Sequence, residues 1–266
     1  MMSALSLCAA DATKGIIVFV IALSIWPVAA SAKVKVLMSG GFTGAYQQLL
    51  PEFERTSGIK VATGSGSSQG SGPQTIGAQL ARGVSADVVI LSREGLTELI
   101  AANRIAAGTD VDLARVPLGV AFRAGTPRPD VSTVDAFKQV LLKSNTIAVP
   151  GSTSGIWLKT NLFPRLGIAE NVNVKMTPRG TDATAMVAAG DADLAVLPVS
   201  EIVVAPGVDF AGAIPSEIQL VQVFAAAVVA GSKEIEGAKR LIEFLASPRA
   251  SETIKRSGME AFATSR

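Results

Sequence analysis

The sequence predicts an α/β fold in two lobes, each a mainly parallel sheet flanked by helices. Three observations predict it. Short apolar runs alternate with helix-like segments along most of the chain, the order that builds parallel β-α units. The run Val88-Val89-Ile90-Leu91 is apolar without alternation, as expected of a strand covered on both faces. After the first three such units the series starts afresh near Val116, which indicates a second sheet rather than one continuous winding.

The elements follow in order. Residues 1–32 read as a secretory signal: Lys14 precedes an apolar stretch over 15–26, and Ala30-Ser31-Ala32 has the small-x-small form of a cleavage site before Lys33. The stretch is short for a bilayer span and Pro27 interrupts it. Cys8 follows a bulky leucine ahead of the apolar core, the wrong place for a lipidated cysteine. Strands are expected at 34–38, 59–63 and 87–91, with helices at 42–56 (stopped at Gly58), 73–82 (opened by Pro73) and 94–102. The second series has strands at 116–123, 146–149, 172–176 and 193–197, with helices at 132–142, 156–166 and 181–189. A long apolar run at 218–230 then returns, followed by helices at 233–246 and 251–257. The chain is expected to cross between lobes near residues 115–120 and 221–226.

Composition excludes several chemistries. The only cysteine is Cys8, inside the expected leader, and the chain has no histidine. Disulfides, thiolate metal sites, a cysteine nucleophile and Ser-His-Asp schemes are therefore ruled out of the mature chain. No paired-carboxylate metal cluster stands out, so no cofactor or metal is expected. The net charge is +2 without a basic run, so nucleic acid is not an expected partner.

Three glycine- and serine-rich loops carry the positive signal. They are Ser39-Gly40-Gly41, the stretch 64–72 with Ser67 and Ser68, and the stretch 151–155 with Ser152, Thr153 and Ser154. Each joins the end of a strand to the start of a helix, where free N–H groups and the helix dipole favour negative charge. Glycine allows the backbone close to a ligand, and hydroxyls add neutral donors. In open parallel sheets these are the ligand-binding ends of the strands. The partner expected is a small anion held between the lobes.

Several segments together resemble a known family. They are Val36-Leu37-Met38-Ser39 with its following helix, Pro51 through Val61, Ala86-Asp87-Val88-Val89-Ile90-Leu91-Ser92, Ala189-Gly190-Asp191-Ala192-Asp193-Leu194-Ala195 and Phe244-Leu245-Ala246-Ser247-Pro248. In order and spacing they are similar to periplasmic binding proteins of ABC importers, of the molybdate-binding type. The resemblance implies a type II two-lobed fold, with lobe I at 33–117 plus 225–266 and lobe II at 118–224. It implies a periplasmic, monomeric receptor that closes on an oxyanion and docks on an inner-membrane permease. Ligand contacts would come from Ser39, Gly40, Gly41, Ser67, Ser68, Ser152, Thr153, Ser154 and the region after Val196, which includes Ser200. The sequence departs from the molybdate pattern at Gly40-Gly41 and at Pro198-Val199-Ser200-Glu201, where a tyrosine is usual; the one tyrosine is Tyr46.

The chain also resembles a divergent branch of that family that includes aconitate isomerase. A tricarboxylate would call for arginine forks. Arg93 follows Ser92 at a strand end, Arg179 opens a helix, and Arg123 lies near the first crossover. An isomerase without histidine would need an acid such as Glu201 for carbon-acid proton transfer. The reading of the sequence is a receptor that captures a small oxyanion or polycarboxylate for an ABC importer, with a cofactor-independent aconitate isomerase as the alternative.

Overall fold

The computed structural model describes residues 33–262; the expected leader lies outside them. The first series comprises β1 (Lys33–Met38), a single 3-10 turn (Gly40–Phe42), α1 (Thr43–Ser57), β2 (Lys60–Ser65), α2 (Ile76–Ala81), β3 (Val88–Ser92) and α3 (Arg93–Ala101). A long strand, β4 (Val111–Arg123), leads to α4 (Val134–Lys143), β5 (Ile147–Pro150) and α5 (Thr153–Trp157). There α5 runs through one π-helical turn (Leu158–Leu162) into α6 (Phe163–Arg165). Then come β6 (Val174–Thr177), α7 (Gly180–Ala189), β7 (Leu194–Pro198), α8 (Val199–Ile202) and β8 (Val208–Ala213). The chain returns through β9 (Val221–Val228), α9 (Ile235–Leu245), α10 (Pro248–Arg256) and β10 (Glu260–Ala261).

The strands join in the order β2-β1-β3-β9-β4-β7-β5-β6, with β8 and β10 also paired to β4. Each half has a parallel heart, β2-β1-β3 in one and β7-β5-β6 in the other. The strands that link the halves, β4 and β9, run antiparallel to their neighbours.

Local sequence explains the elements. Ala45, Tyr46, Leu49 and Phe53 recur at helical spacing and form the buried face of α1, which Gly58 ends in the left-handed conformation (φ 72°). Side chains of Thr75, Ser92 and Thr133 accept N–H bonds at the starts of α2, α3 and α4. Helices α1 and α9 cover one face of the first sheet, where Phe53, Leu241 and Leu245 join Val34, Val36 and Ile90. A second core lies under β4, β5 and β7, with Phe137, Leu141, Leu158 and Phe163 against Val120, Val149 and Val196. Burying each large side chain of this kind contributes roughly 1.5–3 kcal/mol before entropy. Strand β4 serves both cores: Leu113, Ala114 and Val116 belong to the first, Leu118, Val120 and Phe122 to the second.

Several elements differ from expectation. β4 begins at Val111, five residues before the expected start, because Asp112 and Arg115 break the apolar pattern; Arg115 is held by Glu260 of β10. β8 was not expected, and its pairing to the far end of β4 closes the second half. The helix expected at 156–166 starts three residues earlier, so that Thr153 and Ser154 lie inside it. The helix expected at 251–257 starts at Pro248, a residue suited to a first turn. Among the described residues, no helix is long and apolar enough to cross a membrane.

Candidate functional site

The ends of the parallel strands meet at one place. Met38 of β1, Ser65 of β2, Pro150 of β5, Thr177 of β6 and Pro198 of β7 all stop beside a cavity of about 30 Å³. Its wall takes Ser39, Gly40, Gly41, Gly66, Ser67 and Ser68 from the first half. The second half contributes Pro150, Ser152, Ser154, Pro178, Arg179, Gly180, Pro198 and Glu201, and strand β9 adds Gln222 and Phe224. The volume holds on the order of two water molecules, so the halves are closed.

Hydrogen bonds across the cleft hold that closure. Ser67 Oγ donates to the Pro178 carbonyl at 2.9 Å, and Gln69 N–H donates to Ser152 Oγ at 3.3 Å. The hydroxyls of Ser92 and Thr153 meet at 2.7 Å, both buried. Ser200 Oγ donates to the Gly41 carbonyl at 2.7 Å. Gly70 adopts φ 113° against the Gly151 carbonyl, where a Cβ would sit 2.7 Å from the oxygen, so only glycine fits that approach.

The expected residues divide into two groups. Ser39, Gly40, Gly41, Ser67, Ser68, Ser152, Ser154, Arg179 and Glu201 line the cavity. Ser92, Arg93, Thr153 and Ser200 stand off it. Ser92 is used up as the cap of α3 and as the partner of Thr153. Ser200 turns toward Gly41. Arg93 points away into a pair of acids, bonding Asp110 at 2.7 Å and Asp112 at 2.8 Å through Nε. Arg123 lies with its guanidinium near Gly190, away from the cavity. Gly66 and Pro198 fall within segments the sequence singled out; Pro150, Pro178, Gly180, Gln222 and Phe224 were missed. For Gln222 the available signal was an amide inside the apolar run 218–230, which it shares with Gln219; Gln219 is used up on the backbone of Leu118 and Ile214.

Glu201 dominates the electrostatics. It projects from the first turn of α8, and its carboxyl fills the gap between Gly40 and Gly180. A Cβ on Gly40 would lie 2.4 Å from Glu201 Oε2, and one on Gly180 2.0 Å from it. Oε2 is buried without a hydrogen-bond partner. Burial pushes this carboxyl up to about 7, because removing water penalises the charged form. Arg179 is the one cation on the wall among the described residues; its side chain is 54 % exposed and is held by Asp182 at 2.9 Å. Three oxygens in this wall lack partners altogether: Ser39 Oγ, Glu201 Oε2 and Gln222 Oε1. Buried polar atoms are rarely left unpaired unless something else completes them. The cavity thus offers hydroxyls, one amide, one acid of near-neutral pKa and one cation at its mouth. That set can hold carboxylates and move a proton. No group of three or more acids that could ligate a metal occurs among the described residues.

Residues 34–260 match the family model described as bacterial extracellular solute-binding protein. The chain is 37% identical over 227 residues to an aconitate isomerase of Pseudomonas sp., covering 85% of this chain and 86% of that one. Among solved structures it is similar to the periplasmic molybdate-binding protein of Azotobacter vinelandii, with a TM-score of 0.66 at 21% identity over 85% of this chain and 98% of that one. The sulfate-binding protein of Mycobacterium tuberculosis aligns with a TM-score of 0.70 at 18% identity, over 88% of each chain. The likeness to both structures establishes the two-lobed α/β architecture.

Proposed function

The chain belongs to the bacterial extracellular solute-binding proteins, and from that premise we propose that it captures a small polycarboxylate in the cleft and isomerises it as an aconitate isomerase. The observation that carries this reading is Glu201: a buried, unpartnered carboxyl of raised pKa at the wall of the ligand cavity. A receptor has no need of such a group, whereas proton transfer at carbon does. Ionised Glu201 takes a proton from the methylene carbon next to a substrate carboxylate. The electron pair moves into the adjoining unsaturated acid, protonated Glu201 returns the proton to the carbon at the far end of that system, and the double bond has moved with the carboxylate regenerated. Arg179 and the hydroxyls of Ser39, Ser67, Ser152 and Ser154 hold the carboxylates and the charge that develops on them. The relative that is an aconitate isomerase supports the same reading.

On this reading lobe I is 33–117 plus 225–266 and lobe II is 118–224, with β4 and β9 as the crossing strands. Residues 1–32 direct the chain to the periplasm and are removed. A second reading is favoured by the neutral hydroxyl lining and by the oxyanion-binding neighbours: a receptor that captures an oxyanion for an ABC permease. Incubating the protein expressed from Lys33 onward with trans-aconitate, and following the two isomers by proton NMR, separates them. Interconversion supports the isomerase; capture of molybdate or sulfate with no turnover of trans-aconitate leaves the receptor.

Two substitutions test the wall. Replacing both Ser152 and Ser154 by alanine removes two neutral donors, so the calorimetric Kd for trans-aconitate rises about tenfold. Arg93→Ala leaves that Kd within about twofold, since its guanidinium is engaged by Asp110 and Asp112 away from the cavity.

A further inference from the structure

We propose that Gln222 is a ligand-contacting, specificity-determining residue of the cleft, whose amide pairs with a carboxyl group of the ligand. This rests on the polycarboxylate reading above. The alternation of β9 turns Gln222 and Phe224 to the cavity, while Val221 and Val223 take the other face, the first 50 % exposed and the second half-buried. Phe224 is locked beneath Gly41, where a Cβ would lie 2.0 Å from its ring. The register Val116↔Gln222 and Pro117↔Val221 places the amide at the point where β4 leaves the first core for the second.

Gln222 is only 4 % exposed, yet its Oε1 has no partner. A leucine or methionine would fill such a position without leaving a polar atom unpaired, and swaps of that kind are often neutral or stabilising. A glutamine kept there without a protein partner indicates a partner from outside. The other buried side-chain oxygens without partners among the described residues, Ser39 Oγ and Glu201 Oε2, open on the same cavity, so the three point at one occupant. A side-chain amide presents an acceptor and two donors side by side. A carboxyl group matches both ends: its oxygen accepts from Nε2, and when protonated its O–H donates to Oε1. A fully ionised tetrahedral oxyanion uses only the donor end. An ionised carboxylate does the same, so the amide favours over molybdate or sulfate a polycarboxylate that keeps one carboxyl protonated.

The test is Gln222→Met, close in volume and without polar atoms that can pair. Calorimetry with trans-aconitate, molybdate and sulfate, and thermal melting of the unliganded protein, are run on both forms. The expected result is a tenfold or greater rise in Kd for trans-aconitate, with the unliganded melting temperature unchanged or higher. If the protein turns over trans-aconitate, KM rises more than kcat falls. An unchanged Kd for trans-aconitate overturns the proposal. So does a lowered melting temperature with unchanged affinity, which would mark a packing role. Should the unsubstituted protein bind molybdate or sulfate but not trans-aconitate, the polycarboxylate reading falls; Gln222 then stands as a contact if the variant loses that anion, and falls if it does not. Failure of the unsubstituted protein to bind all three overturns both.

Discussion

Replacing Glu201 by glutamine is expected to lower the isomerisation rate by about 10³-fold while leaving ligand capture intact, since a positioned general base contributes roughly 10²–10⁴. Glutamine keeps the shape that fills the gap between Gly40 and Gly180 and keeps a donor toward the cavity, but it cannot accept a proton from carbon. A retained thermal shift with trans-aconitate beside lost turnover identifies Glu201 as the base. Retained turnover refutes the assignment. On the isomerase reading the unsubstituted protein needs the carboxylate form, so its kcat/KM climbs with pH, is half-maximal near 7 and levels off about one pH unit above that.

Stability carries the opposite pH dependence. The folded carboxyl titrates near 7, above its ordinary 4.5, so the native state binds this proton more tightly than the unfolded chain does. The native state is relatively favoured below about 4.5 and loses stability as pH rises from there to about 7, by about 3 kcal/mol in all. Glu201→Gln removes that contribution. Melting curves at pH 5 and pH 8 should therefore converge in the variant, and at pH 8 the variant should be the more stable protein. A variant that melts lower than the parent at pH 8 would show that burial is not what raises the carboxyl.

Gly155→Ala is expected to be the most destabilising single-methyl change in the cleft region. A Cβ at Gly155 would lie 1.8 Å from the Pro150 carbonyl oxygen and 2.9 Å from its carbon. Both are backbone atoms at the end of β5, so no rotamer change relieves the clash. The turn from β5 into α5 must open, taking Ser152 and Ser154 with it. Destabilisation of about 3 kcal/mol or more is expected, which lowers Tm by roughly 6–12 °C in a chain of this size. Gly180→Ala provides the contrast, because its clash is with the Glu201 side chain alone. A Gly155→Ala protein that melts within 2 °C or so of the parent would mean that the turn yields more freely than its geometry implies.

Much of this was legible before coordinates. The strands β3, β5 and β7 are apolar runs and β1 alternates before ending in one, and the loops that follow β1 and β5 announce themselves by glycine and serine. Other parts were hidden for physical reasons. The arginines read alike in sequence, since each follows a strand or opens a helix; only the fold reveals that Asp110 and Asp112 claim Arg93 while Arg179 stays at the cavity mouth. Gln222 lay within a run that reads as core, and its orientation depends on the register of β9 against β4, a pairing across more than a hundred residues. Ser92 and Thr153 carried the right chemistry in the right neighbourhood, but each hydroxyl is spent on the other. Glycines 40 and 180 have a meaning that composition cannot convey: each is small so that one acid, far away in the chain, can stand between them.

Strand β4 contributes side chains to both hydrophobic interiors and bonds to four other strands, among them β9 from the returning chain. The molecule therefore has no seam. A cut near Pro117 would strip each piece of one wall and expose apolar surface on both, so neither piece is an independent folding unit. Heat or denaturant must dismantle them in a single cooperative event, and a change anywhere along that shared ribbon is felt on both sides of the mouth.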